Sequence, residues 1–109
     1  MTLPPVVTVQ ATEYEVSILL EGDINRSPFV IAVQYRGGGM WAVTRHGACL
    51  GSDGEWSREP IPSERDDAWL ETRRFDLDTA LRLAREAAPH VAVNGRTVLD
   101  AYRRAHDIT

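Results

Sequence analysis

His46 and Cys49 are separated by two residues, and Asp53 follows soon after, so an imidazole, a thiol and a carboxylate lie close together in sequence. Two chemistries use such a set: a metal site, and a cysteine nucleophile activated by a histidine base. A closed zinc site takes four ligands, usually with paired cysteines, whereas this chain has 1 cysteine. The remaining histidines, His90 and His106, lie in other predicted elements. We therefore expect neither a metal nor a cofactor.

A catalytic cysteine also needs a stabilised thiolate and an oriented base. No helix N-terminus is predicted to follow Cys49, and no family signature surrounds it. The paired carboxylates Asp66-Asp67 and Asp76/Asp78 stand where helices begin, and the helix dipole favours negative charge there. We expect no catalytic residues, and a thiol enzyme using Cys49 and His46 stays the lesser alternative.

The 12 basic residues are all arginine, which excludes a Schiff-base lysine and a nucleotide-binding P-loop lysine. The glycine-rich run 36–39 leads into a strand rather than a helix, so it does not form a phosphate loop. The 16 acidic residues and the net charge of -4 disfavour nucleic acid. Single-stranded nucleic-acid binding remains an alternative because Tyr35, Trp41 and Trp56 could stack on bases.

Period-two alternation predicts a strand from Glu13 to Leu20, with Tyr14, Val16, Ile18 and Leu20 on one face. Further strands are predicted over 29–35, 40–45 and 48–50, with a short one at 55–56, and glycine-containing turns join them. Residues 13–57 therefore predict an antiparallel β-meander of about four strands.

The chain after residue 60 is predicted to be mainly helical. Ser63 and Asp66 match a capping box for a helix ending near Arg73, and Asp76 can cap a second helix that Pro89 closes. Residues 91–98 fit either a hairpin or the approach to a helix, of which we favour a final helix over 98–106. The prediction is an α+β fold in which two to three C-terminal helices, within residues 63–106, pack on one face of the meander. Residues 1–12 are expected to be a flexible lead-in to a single domain over 13–109.

The aromatic residues of the meander give the main hypothesis about a site. Trp41 and Arg45 share one face of their predicted strand, and tryptophan and arginine are enriched at interface hot spots. If the helices cover the other face, both residues stand on an open sheet face; otherwise Trp41 belongs to the core. We predict a protein-binding surface made of Tyr35, Trp41, Arg45 and Trp56.

Residues 41–98 resemble small uncharacterised proteins of actinobacteria and their phages. The resemblance rests on a W-A-V strand from Trp41, a D-G-E-W turn at 53–56, a P-S-x-R-x-D-x-W helix start at 62–69, and an R-F-D-L-D-x-A-L-x-L-A helix at 74–84. It implies a small protein of a high-GC bacterium or phage, in agreement with arginine replacing lysine throughout, and it implies no activity and no site residue.

The absence of a long apolar run and of a signal-peptide pattern leads us to expect a cytoplasmic protein without membrane contact. One cysteine fits a reducing compartment. The expected function is that of a small non-enzymatic protein-binding or accessory module, which engages a protein partner through the sheet face and could also form a homodimer.

Overall fold

The computed structural model of the chain describes residues 2–106. The strands are β1 Glu13–Val16, β2 Ile31–Tyr35, β3 Trp41–Arg45, β4 Ala48–Leu50, β5 Trp56–Arg58, β6 Ala92–Val93 and β7 Arg96–Thr97; the α-helices are α1 Asp67–Arg73, α2 Leu77–Ala87 and α3 Val98–Ala105. This confirms the α+β prediction. The main sheet has five strands, one more than expected, because Trp56–Arg58 forms a full strand beside β4.

Each of the first four strands pairs antiparallel with the next, so β1 and β5 are the two edges of a meander. Val33 lies opposite Val43, and Tyr35 lies opposite Trp41, so these side chains share one face. Helix α2 packs on this face across β1, β2 and β3, and its Ala80 and Ala84 are fully buried there. The small alanine side chains let the helix approach the sheet closely. This is the face that the sequence left undecided.

The opposite face of the sheet is polar along β1, β2 and β3. The Gln34 amide donates to the Glu13 carboxylate over 2.7 Å, and the Thr44 hydroxyl donates to the Gln34 carbonyl over 3.1 Å. Along β2 the less buried Ala32 and Gln34 alternate with the buried Ile31 and Val33, as expected for a sheet with one covered face, whereas in β3 the polar-face residues Ala42 and Thr44 are buried as well.

The helix caps agree with the sequence in two of three cases. Asp76 accepts a hydrogen bond from Thr79 N–H, and Thr97 accepts one from Asp100 N–H, as predicted. The first helix begins later than predicted. Its cap is Asp66, which accepts from Trp69 N–H over 2.7 Å, while Ser63 lies in a short 3-10 turn before it. The helix begins after Asp66 rather than after Ser63, because the Asp66 carboxylate accepts a hydrogen bond from a backbone N–H group of the first turn that would otherwise have no partner.

The chain forms both of the structures considered for residues 91–98, first a hairpin and then a helix. Strands β6 and β7 form a two-stranded hairpin around Asn94-Gly95, and α3 follows at once. Asn94 has φ +50° and Gly95 φ +79°, the left-handed pair that a two-residue hairpin turn requires. His46 and Gly47, between β3 and β4, form the same kind of turn with φ +49° and +81°.

The first strand is shorter than predicted. It ends at Val16, and the Ser17 hydroxyl accepts a hydrogen bond from Leu19 N–H over 3.0 Å, which turns the chain out of the ladder. Leu19 is therefore buried, whereas Leu20, predicted to face the core, is 71% exposed.

Candidate protein-binding groove

A groove of about 610 Å³ lies where the β4–β5 end of the sheet extends past α2. Its walls are mainly apolar and come from the sheet on one side and from α2 and the following turn on the other. The apolar lining residues are Ala48, Leu50, Trp56, Leu83, Ala87, Val91 and Ala92. We call it the sheet-edge groove. Helix α2 contacts β1, β2 and β3 most extensively, and the groove lies beside this helix over β4 and β5.

Trp56 and Arg45, two of the four predicted partner-binding residues, line this groove. The Trp56 side chain is 38% exposed. The Arg45 guanidinium donates from Nη2 to the Pro28 carbonyl over 3.0 Å, but its buried Nε finds no acceptor among residues 2–106. Burial lowers the pKa of Arg45 below its ordinary value. Arg45 thus lies beside the groove with part of its hydrogen-bonding capacity unused.

Trp41 and Tyr35, the other two predicted residues, do not stand on an open face. Trp41 is 4% exposed, and its ring packs between Tyr14 at 5.5 Å and Tyr35 at 5.1 Å. Tyr35 is half-buried, and its hydroxyl accepts a hydrogen bond from Gly39 N–H over 3.1 Å. The hypothesis that Trp41 and Tyr35 stand on an open sheet face is therefore wrong, for a physical reason. The helices cover the face with the larger side chains, because it offers more apolar area to bury.

A second group of charged residues lies on the polar face, where the chain leaves β5. Glu59 pairs with Arg36 at 2.8 Å, with Arg74 at 3.0 Å and with Arg65 at 3.5 Å. The side chains of Glu59 and Arg74 are only 13% and 9% exposed. We call these four residues the Glu59 cluster. It holds the segment before α1 against the sheet, since its members come from four separate stretches of the chain.

Burial alone raises the pKa of the Glu59 carboxyl, but the hydrogen bonds and charges of Arg36, Arg65 and Arg74 outweigh it. The pKa of Glu59 therefore lies below its ordinary value. One carboxylate among three guanidinium groups is fully ionised at neutral pH and binds the arginines firmly.

Cys49 is fully buried on the polar face of β4, opposite Thr44 and Ser57 in the strand ladder. Burial, followed by the charge and hydrogen bonding of Glu59, raises the pKa of its thiol to about 11. His46 lies in the exposed turn before β4, outside the ladder. These features oppose a thiolate, so Cys49 has the properties of a packing residue.

We expect Cys49 in the native chain to react with iodoacetamide far more slowly than a free thiol, and to react at the free rate in urea. Its raised pKa has a second consequence. The stability that this pKa difference contributes is fully present below about pH 9 and is lost as the pH rises through 11, by about 3 kcal/mol at most for a shift from 9.0 to about 11 at about 1.4 kcal/mol per unit. Iodoacetamide labelling with and without urea checks the first statement, and rapid alkylation of the folded chain at pH 7 would contradict it. Urea unfolding at several alkaline pH values checks the second, with Cys49→Ala as the control that lacks this dependence.

Among residues 2–106 no group of three or more histidine, cysteine, aspartate or glutamate side chains is arranged to hold a metal ion. In the same part of the chain, no helix has the length and apolar character needed to span a membrane.

Sequence reasoning missed the second wall of the groove and the Glu59 cluster. Leu83 and Ala87 are spaced i, i+4 on α2, a signal for a shared face, but Leu83 lies beside the main apolar stripe rather than in it. Nothing in the local sequence around Glu59 indicates three arginine partners, because Arg36 and Arg74 are brought to it by the fold.

Comparison of the chain with protein-family models, with curated proteins and with solved structures found no match.

Proposed function

We propose that the chain is a small non-enzymatic protein-binding module, an accessory protein of a high-GC bacterium or its phage, that holds an extended apolar segment of a protein partner in the sheet-edge groove. The observation that carries the proposal is the position of Trp56. Its large ring is 38% exposed on the wall of an apolar groove of about 610 Å³, where a partner could cover it. Tryptophan side chains in such positions supply much of the energy of protein interfaces.

The shape and chemistry of the groove indicate what kind of segment fits. Strand β5 is an edge strand, so an extended segment could add to it by backbone hydrogen bonds while alternate side chains enter the groove. The charged lining residues Arg45 and Glu86 have opposite signs. An uncharged segment with small branched apolar side chains suits this lining best.

The other two functions considered from the sequence have less support. Of the three aromatic residues suggested to stack on bases, Trp41 is buried and Tyr35 packs against it, which leaves Trp56. A thiol enzyme is disfavoured by the buried Cys49 and its raised pKa.

The proposal is tested by selecting decapeptides from a random library displayed on phage against the immobilised chain, and then titrating the enriched peptides in solution. We expect uncharged, valine- and leucine-rich peptides to be enriched. The variant Trp56→Ala should raise their dissociation constants about 30-fold, the effect of losing about 2 kcal/mol at a hot spot.

Ile61→Ala is the matched control, since Ile61 is a 60% exposed apolar residue that does not line the groove. It should leave the affinities unchanged. A selection that enriches no peptide, or peptides that bind Trp56→Ala as well as the parent chain, would refute binding in the groove.

A further inference from the structure

The N-terminal segment of residues 2–11 is the most exposed apolar part of the described chain. It carries Leu3, Val6, Val7 and Val9, which are 82%, 85%, 90% and 98% exposed. The segment has no regular secondary structure before β1. The chain measures 68 Å along its longest axis and 35 and 21 Å along the other two. Ten extended residues, the length of this segment, span roughly 33 Å. We call residues 2–11 the arm.

An arm of this kind is a candidate for burial against another surface. Burying apolar side chains away from water is favourable, and contiguous exposed apolar side chains mark sites of association. No charged side chain occurs in residues 1–12. The arm is thus an extended, uncharged and valine-rich segment, which is the chemistry that the sheet-edge groove accepts.

To reach the groove of the same molecule, the arm would have to cross the width of the sheet. The arm leads into β1, at one edge of the sheet. Directly after the arm, the Thr12 carbonyl accepts a hydrogen bond from Tyr35 N–H over 2.8 Å, which holds this end of the arm at β2. The groove lies at the other edge, beside β5, and α2 packs across the strands between them. A second copy of the chain has no such obstacle.

We infer that the occupant of the sheet-edge groove is the arm of a second copy, so that two chains exchange arms in a symmetric dimer. This inference rests on the proposed function of the groove. In the exchanged state the arm adds antiparallel or parallel to the edge strand β5, and Val7 and Val9, which point to the same side of an extended chain, contact Trp56 and Leu83. Pro4 and Pro5 lack backbone N–H groups and end the pairing on one side. Twofold symmetry makes the two contacts identical.

The test measures the association of full-length chains by sedimentation equilibrium. The parent chain should form dimers at about 100 µM or below, the range of a small reversible interface. The arm variant V7D/V9D and the groove variant Trp56→Ala should each weaken the dimer about 30-fold or more, because each removes one half of the contact. The control Ile24→Asp alters a residue that is 92% exposed but lies outside arm and groove, and it should dimerise as the parent does.

A mixture of the two variants makes the assignment specific. The V7D/V9D chain keeps an intact groove and the Trp56→Ala chain keeps an intact arm, so one arm can be seated in a heterodimer. An equimolar mixture should therefore associate more tightly than either variant alone and less tightly than the parent chain. Circular dichroism of each variant checks that the fold is kept. A heterodimer in the mixture supports the inference.

Three outcomes would overturn it: a parent chain that stays monomeric, a dimer that survives V7D/V9D, or a variant mixture that associates no more tightly than the separate variants. The phage-selected peptides separate this failure from that of the proposed function. If they still bind the parent chain and lose affinity for Trp56→Ala, the groove binds a segment of a different protein. If the selected peptides bind neither the parent chain nor Trp56→Ala, both proposals fail together.

Discussion

The variant Trp41→Ala should unfold with a free energy about 4 kcal/mol below that of the parent chain. Trp41 is 4% exposed and its ring contacts those of Tyr14 and Tyr35, so truncation removes a large apolar side chain and two aromatic contacts and leaves a cavity. The loss is large in relation to the 5–15 kcal/mol that stabilises a typical domain. We therefore expect a variant that is folded at low temperature but close to unfolding under warm conditions.

Urea unfolding followed by circular dichroism measures the difference, and Trp56→Ala is the matched control. Trp56 is the same residue type at 38% exposure, so its truncation should lower the free energy of unfolding by about 1 kcal/mol or less. Equal losses for the two variants would mean that Trp41 does not belong to the core. The pair thus distinguishes a tryptophan that the core requires, Trp41, from one whose side chain is exposed in the proposed binding groove, Trp56.

The second large effect is expected at the Glu59 cluster. Glu59→Gln leaves Arg36, Arg65 and Arg74 facing one another without their shared carboxylate. The side chain of Arg74 is only 9% exposed, so its charge is poorly solvated. Removing one partner from a largely buried ionic group typically costs about 3 kcal/mol, because the remaining charges stay desolvated and repel one another. We expect a loss of that size at pH 7.

The pH dependence of this loss follows from the depressed pKa of Glu59. A carboxyl with a lower pKa in the folded chain contributes stability that is fully present above its unfolded pKa and is lost as the pH falls through the folded pKa. The gap between parent and Glu59→Gln should therefore be constant near neutrality and shrink under acid conditions. Unfolding measured from pH 7 downwards shows this convergence.

Glu86→Gln serves as the control for the same chemical change. Glu86 forms an i, i+4 ion pair with Arg82, and the two side chains are 61% and 60% exposed, respectively. Such pairs contribute about 0.3–0.5 kcal/mol, so this variant should be nearly neutral. A Glu59→Gln variant as stable as Glu86→Gln would show that the cluster does not hold the fold together.

Elements with a strong local pattern could be predicted from the sequence. Helix α2 has an aspartate cap, an apolar stripe and a proline after its end, and the structure places it over Leu77–Ala87 as this pattern indicates. The His46-Gly47 and Asn94-Gly95 turns were likewise predictable, since few residue pairs accept a left-handed conformation at both positions.

The covered face of the sheet could not be predicted, because β2 and β3 carry apolar residues on both faces. Ala42, on the polar face, is as fully buried as Val43 beside it. The choice between the two faces depends on the long-range packing of α2, which no local pattern encodes. For the same reason the candidate site was assigned only in part: Arg45 and Trp56 line the groove, whereas Trp41 and Tyr35 lie inward.

The order of elements along the chain has a consequence for synthesis on the ribosome. The five-stranded sheet is complete at Arg58, but the helix that covers its apolar face ends at Ala87. At about 5–20 residues per second, translation of residues 59–87 takes roughly 1 to 6 s. During this interval Ile31, Val33 and Val43 have no cover, so the nascent chain is exposed to chaperones and to aggregation for longer than a protein whose helix precedes its sheet.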